Sequence, residues 1–189
     1  MRALALASLL FALSAASLRA QEVIGISVLE RGVYTLEVTK TERTPSGIDQ
    51  GTVANVCRVA DTATVPAMQG TQFGLRFRVD GQAPGVPVQI LTIVHFPRVV
   101  TPPGGQRALS AHEHMATVET GQVSYWGYGL DHPWEVMPGI WTFEMYSGGR
   151  KLAEVSFLLV AGVDAPAPRS DGSDCFQMSA VGRAAPRPS

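Results

Sequence analysis

Apolar and polar residues alternate along most of this chain with the period of two that a half-buried strand requires. The pattern is clearest in Val136–Val160. There Trp141, Phe143 and Met145 interleave with Thr142, Glu144 and Tyr146, and Val155, Phe157 and Leu159 follow Glu154 and Ser156 in the same rhythm. Ser147-Gly148-Gly149-Arg150 lies between the two runs and is rich in residues that tolerate positive φ. The segment therefore predicts an antiparallel hairpin with one apolar face, opened by a turn at Pro138-Gly139. Nearer the N-terminus, Val23–Leu29 and Gly32–Thr39 predict two strands joined by a turn at Glu30–Gly32. Their inward residues would be Ile24, Ile26 and Val28, then Tyr34, Leu36 and Val38.

Polar Thr41–Gln50, broken by Pro45-Ser46-Gly47, predicts a loop, and Val53–Asp61 a short strand. Thr71–Val79 alternates through Phe73, Leu75 and Phe77. Val86–Phe96 is β-branched and long enough for a central strand buried on both faces. Prolines 97, 102 and 103 with Gly104-Gly105 predict a surface loop over Arg98–Gln106, because proline cannot donate to a ladder. Leu109–Val118 fits a strand or a helical turn, and Gly121–Leu130 a further strand. About eight or nine short strands at near-regular spacing predict an all-β fold, an antiparallel β-sandwich of two sheets.

The two ends read differently. Residues 1–20 carry Arg2, an apolar stretch Ala3–Ala16 and then small residues, the order of a secretory signal. The apolar run is about 14 residues, short of the ~20 a membrane-spanning helix needs. Cleavage after Ala20 puts Leu18 where a small side chain is preferred, and Ser17 offers an alternative. Residues 164–189 are rich in Pro, Ala and Ser and cannot bury enough apolar surface to order themselves. The expected organisation is a signal peptide over 1–20, one sandwich domain over 21–163 and a tail over 164–189. No membrane span is expected once the signal is removed, and the location is periplasmic or secreted.

Losing residues 1–20 leaves 13 of the 15 basic residues against 16 acidic ones, a net charge of −3 with histidine neutral. Without clustered Lys and Arg, nucleic acid is not an expected partner. The two cysteines, Cys57 and Cys175, form an even set in an exported chain, and the expectation is a disulfide stapling the tail onto an early strand. Neither has a neighbouring His or Lys to make a reactive thiolate.

Candidate chemistry is sparse. In His112-Glu113-His114-Met115 an extended backbone would turn both imidazoles to one face. The pair could hold copper, nickel or zinc, with His132, Asp131 or His95 completing the set and Met115 suiting copper(I). The competing reading is a solvated strand edge. No Gly-x-Ser-x-Gly elbow is present, and a Glu135–Glu144 acid–base pair is disfavoured because Glu144 lies opposite Trp141. Neither catalysis nor a cofactor is expected. Tyr125, Tyr128 and Tyr146 could form an exposed strip that receives a protein or a sugar, or could pack locally.

Val65-Pro66-Ala67, Gly70-Thr71-x-Phe73-Gly74, His95-Phe96-Pro97, Trp134-Glu135-Val136-x-Pro138-Gly139-x-Trp141-Thr142-Phe143 and Gly149-Arg150-Lys151-Leu152-Ala153-Glu154 resemble a domain-of-unknown-function family of exported bacterial proteins. The resemblance spans Val65–Val160. It implies an immunoglobulin-like sandwich in the cell envelope and no activity. One departure stands out: Cys175 follows the last strand, so a Cys57–Cys175 bond is not the inter-sheet bridge of true immunoglobulin domains. The leading expectation is a non-enzymatic binder of a protein or envelope component, through the proline loop or the Tyr125–Tyr128 face. A metal-binding protein using His112 and His114, and a carbohydrate-binding module, are the alternatives.

Overall fold

The computed structural model describes residues 23–104, 107–162 and 175–176. The expectations for residues 1–20, and for the tail apart from Cys175 and Phe176, lie outside these residues. Ten strands are described: β1 Val23–Arg43, β2 Asp49–Asp61, β3 Thr64–Pro66, β4 Gln72–Gly81, β5 Pro87–Val100, β6 Leu109–Glu119, β7 Val123–Gly129, β8 Gly139–Ser147, β9 Arg150–Val160 and β10 Cys175–Phe176. Among the described residues a single 3-10 turn, Pro133–Glu135, interrupts them. One sheet has the order β10-β2-β1-β4-β7 and is antiparallel throughout; the other is β3-β9-β8-β5-β6, antiparallel except for β3 beside β9. The fold is an all-β, immunoglobulin-like sandwich.

The β8–β9 hairpin forms as its pattern predicts, with Gly148 and Gly149 both at positive φ (56° and 77°) in the turn. Trp141, Phe143 and Met145 are fully buried. Opposite them, β4 contributes Phe73, whose ring centroid lies 5.6, 5.6 and 5.3 Å from Trp141, Phe143 and Phe157. This edge-on aromatic cluster is where the two sheets press together.

Three expectations fail instructively. The two N-terminal strands are one: β1 pairs with β4 through Val23–Tyr34 and with β2 through Gly32–Arg43. Glu30, which carries a turn signal in the sequence, sits mid-strand as the centre of an ion-pair group. It accepts from Arg76 at 2.8 Å and Tyr34 at 3.2 Å, and Arg58 lies 3.4 Å away. Gly32 is required by crowding, since a Cβ there would stand 1.8 Å from the Ala60 carbonyl oxygen. The irregularities in β1 also split the expected inward set: Ile24, Val28 and Val38 are exposed, Ile26 packs against the core and Tyr34 is buried, and Val33, outside the set, joins the core. Second, β5 is central, between β8 and β6, but buries only one face, through Val88, Ile90, Thr92, Val94 and Phe96. Third, β5 runs on to Val100, and Pro97 is accommodated in a register irregularity between His95 and Val100.

Glu144, expected to be an exposed carboxylate, points outward as predicted but is only 13% exposed. Lys151 at 2.8 Å, His95 at 2.9 Å and the Tyr146 hydroxyl at 2.8 Å surround it. Chiefly through the Lys151 hydrogen bond, its pKa is held down at about 2. A carboxyl that ionises more easily when folded stabilises the fold above its ordinary pKa, and that contribution fades as pH falls toward 2. Glu144→Gln is therefore expected to lower the melting temperature at pH 7, with the gap to wild type closing between pH 5 and pH 2. A gap independent of pH would contradict this.

Candidate functional site: a cleft closed by the β1–β2 arm

One side of the sandwich is tied shut and the other is not. On the closed side, Arg150 at the start of β9 donates to the Val23 carbonyl of β1 at 2.6 Å. On the open side lie the two sheet edges β7 and β6. Beyond Tyr34 the strand β1 has no partner in β4, so with β2 it continues as a two-stranded arm tipped by residues 44–48. The arm reaches the open side and is held there. Gln50 hydrogen-bonds the His114 imidazole at 2.9 Å, Asp49 lies 3.1 Å from His132 Nε2, and Arg43 donates to the Pro103 carbonyl at 2.7 Å. Ile48, at the tip, is 2% exposed and belongs to the core cluster. The expected Thr41–Gln50 loop is thus mostly strand and clasp.

Between arm and sheets lies a cavity of about 330 Å³. Leu36, Val38 and Val53 line it from the arm, Phe77, Ile90 and Val94 from β4 and β5, Ala116 and Val118 from β6, and Trp126 and Tyr128 from β7. Its polar lining includes His112, His114, Asp49, Asp131, His132 and Glu135, with Gln50, Gln72 and Thr92. Glu135 is 3% exposed, accepts the Tyr128 hydroxyl at 2.9 Å and the His132 backbone N–H at 2.8 Å, and is pushed up in pKa by burial.

His112 and His114 do share a face, opposite Val94 and Thr92 of β5, and that face is the cavity wall rather than a solvated edge. Burial lowers the pKa of both, and for His112 the neighbouring His114 adds to the effect. Of the other ligands considered for a metal, His95 points outward to Glu144 and Met115 is 55% exposed on the far face of β6, whereas Asp131 and His132 line the same cavity, His132 engaged with Asp49. Among the described residues no group of three His, Cys, Asp or Glu is placed to hold a metal ion.

The tyrosine strip does not form. Tyr128 and Tyr125 project from opposite faces of β7, Tyr128 opposite inward Phe73 and Tyr125 opposite outward Arg76. Tyr128 is buried; Tyr125 stacks edge-on with Tyr34 at 4.9 Å, and its hydroxyl is buried without a hydrogen-bond partner. Tyr146 lies on the other sheet. The surface proposed for a sugar therefore lacks its platform. Asp49, Gln50 and Glu135 are the residues that sequence reasoning missed as cavity groups. The Pro133-Trp134-Glu135 sequence after His132 does carry a legible helix-start signature, which fixes Glu135 locally.

Cys57 and Cys175 are bonded, at an S–S distance of 2.04 Å. They join neighbouring strands β2 and β10 of one sheet, away from the sheet–sheet core.

These features define an immunoglobulin-like sandwich with an arm-closed cleft. Known proteins agree with it: residues 22–159 match the family described as a domain of unknown function, DUF3859, and the chain belongs to that family. An immunoglobulin-like protein from Pseudomonas aeruginosa, solved by crystallography, is 25% identical over 75% of this chain and 99% of its own, with a TM-score of 0.51. Lesser similarities reach parts of two enzymes. The alkylpurine DNA glycosylase AlkC of Pseudomonas fluorescens is 16% identical over 69% of this chain and 30% of its own, TM-score 0.33. A β-glucosidase of Erythrobacter marinus is 13% identical over 67% and 16%, TM-score 0.33. Neither carries weight. Among curated proteins none matches.

Proposed function

We propose that this protein is an exported, non-enzymatic binding protein that captures a component of the cell envelope between its sheets. The observation that carries the reading is the cavity itself. About 330 Å³ of space, walled by aliphatic and aromatic side chains with a few converging polar groups, has the dimensions and chemistry of a small-molecule site. Export is supported by the signal-like residues 1–20 and by a disulfide that persists in oxidising compartments. Among the described residues no helix is long and apolar enough to cross a membrane.

The test is native mass spectrometry of the protein recovered from the periplasm or medium. A retained non-covalent adduct is expected, and it should disappear in Ala116→Trp, which fills the cavity from the inner face of β6 opposite Ile90. The variant is checked first for unchanged thermal stability. An adduct that survives the filling, or its absence from the wild type, would contradict the proposal.

A further inference from the structure

The cavity is polarised along the strands. One end is bounded by Phe77, Ile90 and Val118. At the other end the polar groups form a chain. The Tyr128 hydroxyl donates to Glu135, the other oxygen of Glu135 accepts from the His132 backbone, and the His132 ring meets Asp49 of the arm. Asp131, next in sequence to His132, accepts from Gln72 at 3.0 Å. Pairing registers fix the order, since Phe77 lies opposite Ser124 on β7 whereas Tyr128 lies two pairs beyond Trp126 toward Gln72.

Among the described residues three carboxyl side chains line this site, that of Glu135 pushed up in pKa by burial, and no lysine or arginine does. The nearest guanidinium contact, Arg43 with Asp49 at 3.2 Å, comes from the exposed side of the arm. The lining histidines 112 and 114 favour their neutral forms, because burial holds them below their ordinary pKa. An anionic head group would lose its water here and gain no counter-charge. An ammonium would gain carboxylate partners beside the aromatic side chains of Trp126 and Tyr128. At ~30 Å³ per water-sized group, the volume holds about eleven such groups.

Taking the cleft as a ligand site, we propose that it receives an amphipathic cation: an apolar body of about ten non-hydrogen atoms bearing an ammonium group, seated with the charge at the Asp49–Asp131–Glu135 end. An amine without the apolar body would leave Phe77, Ile90 and Val118 unfilled, and a neutral isostere would forgo the carboxylates.

Calorimetric titration with three probes of similar size and different head group tests this: 4-phenylbutylamine, 4-phenyl-1-butanol and 4-phenylbutyrate. The amine is expected to bind at least tenfold more tightly than the alcohol, with no binding of the carboxylate. Asp131→Asn, at an exposed position, should weaken the amine several-fold and leave the alcohol unchanged. Glu135→Gln should weaken it further, if that variant keeps its fold. Carboxylate or alcohol binding as tight as the amine, and lost in Ala116→Trp, would overturn the cationic assignment while leaving the cleft as the ligand site. Amine binding indifferent to both Asp131→Asn and Ala116→Trp would overturn the assignment outright. Silence from all three probes would do the same, the cleft then standing or falling on the retained adduct.

Discussion

Replacing Trp141 by alanine is expected to cost about 3–5 kcal/mol, the range for emptying a buried aromatic site. The indole is fully buried, with ring centroids 5.6 Å from Phe73, 5.1 Å from Phe96 and 5.0 Å from Tyr128. Those partners come from both sheets, so the void would open where the layers meet and could not be filled by one strand relaxing. A second cost arises because Trp141 Nε1 donates to the Met137 carbonyl at 3.0 Å in a buried setting. Leaving that oxygen unpaired adds about 1–3 kcal/mol if no water reaches it. Against a total stability of ~5–15 kcal/mol, this is a large fraction. Urea unfolding measures it as a drop in midpoint at constant slope. Trp141→Phe keeps most of the volume, losing the hydrogen bond and leaving a smaller void, so it should fall well short of the alanine variant. A loss below ~1 kcal/mol for alanine, outside the expected range, would contradict the packing described here.

Breaking the Cys57–Cys175 bond should have a comparable effect by a different route. The cysteines are 118 residues apart in sequence, so the bond closes a loop over most of the domain. In the chain-entropy argument such a loop withholds roughly 4–5 kcal/mol of freedom from the unfolded chain. Little of the folded sheet depends on the link, since β10 pairs with β2 only through Cys175 and Phe176. The destabilisation should therefore be large even though the sandwich core is untouched. Cys57→Ser/Cys175→Ser is expected to unfold at markedly lower urea than wild type while keeping the same β-sheet circular-dichroism spectrum. Equal midpoints would mean that the unfolded chain gains no freedom when the link is cut.

What is legible in the sequence is what local alternation encodes. The β8–β9 hairpin and β4 bury one face each, and their pattern states which. The disulfide follows from two cysteines and an export-like leader. The arm is hidden because Glu30, Arg31 and Gly32 look like a turn, whereas Glu30 is neutralised by arginines from the two neighbouring strands, β2 and β4. No local signal announces partners that distant. Bulges have the same effect on the inward set. Between Val28 and Glu30, β1 takes an extra residue against β4, and parity counted along the chain no longer tells inside from outside. His112 and His114 fall on one face, as alternation predicts. That their face looks into a cavity depends on where Asp49 and Gln50 come to rest, which is a tertiary fact. The tyrosine strip fails for a legible reason: residues 125 and 128 differ by an odd number, so a strand must send them to opposite sides.

Chemical-shift mapping with 4-phenylbutylamine is the sharpest test of ligand capture inside the cleft. Shifts should concentrate on Trp126, Ile90, Ala116, Val118 and His114, and vanish in Ala116→Trp. Shifts gathered instead on the exposed outer pair Ile140 and Leu158, with the cleft residues silent, would show that recognition happens on the surface and not between the sheets.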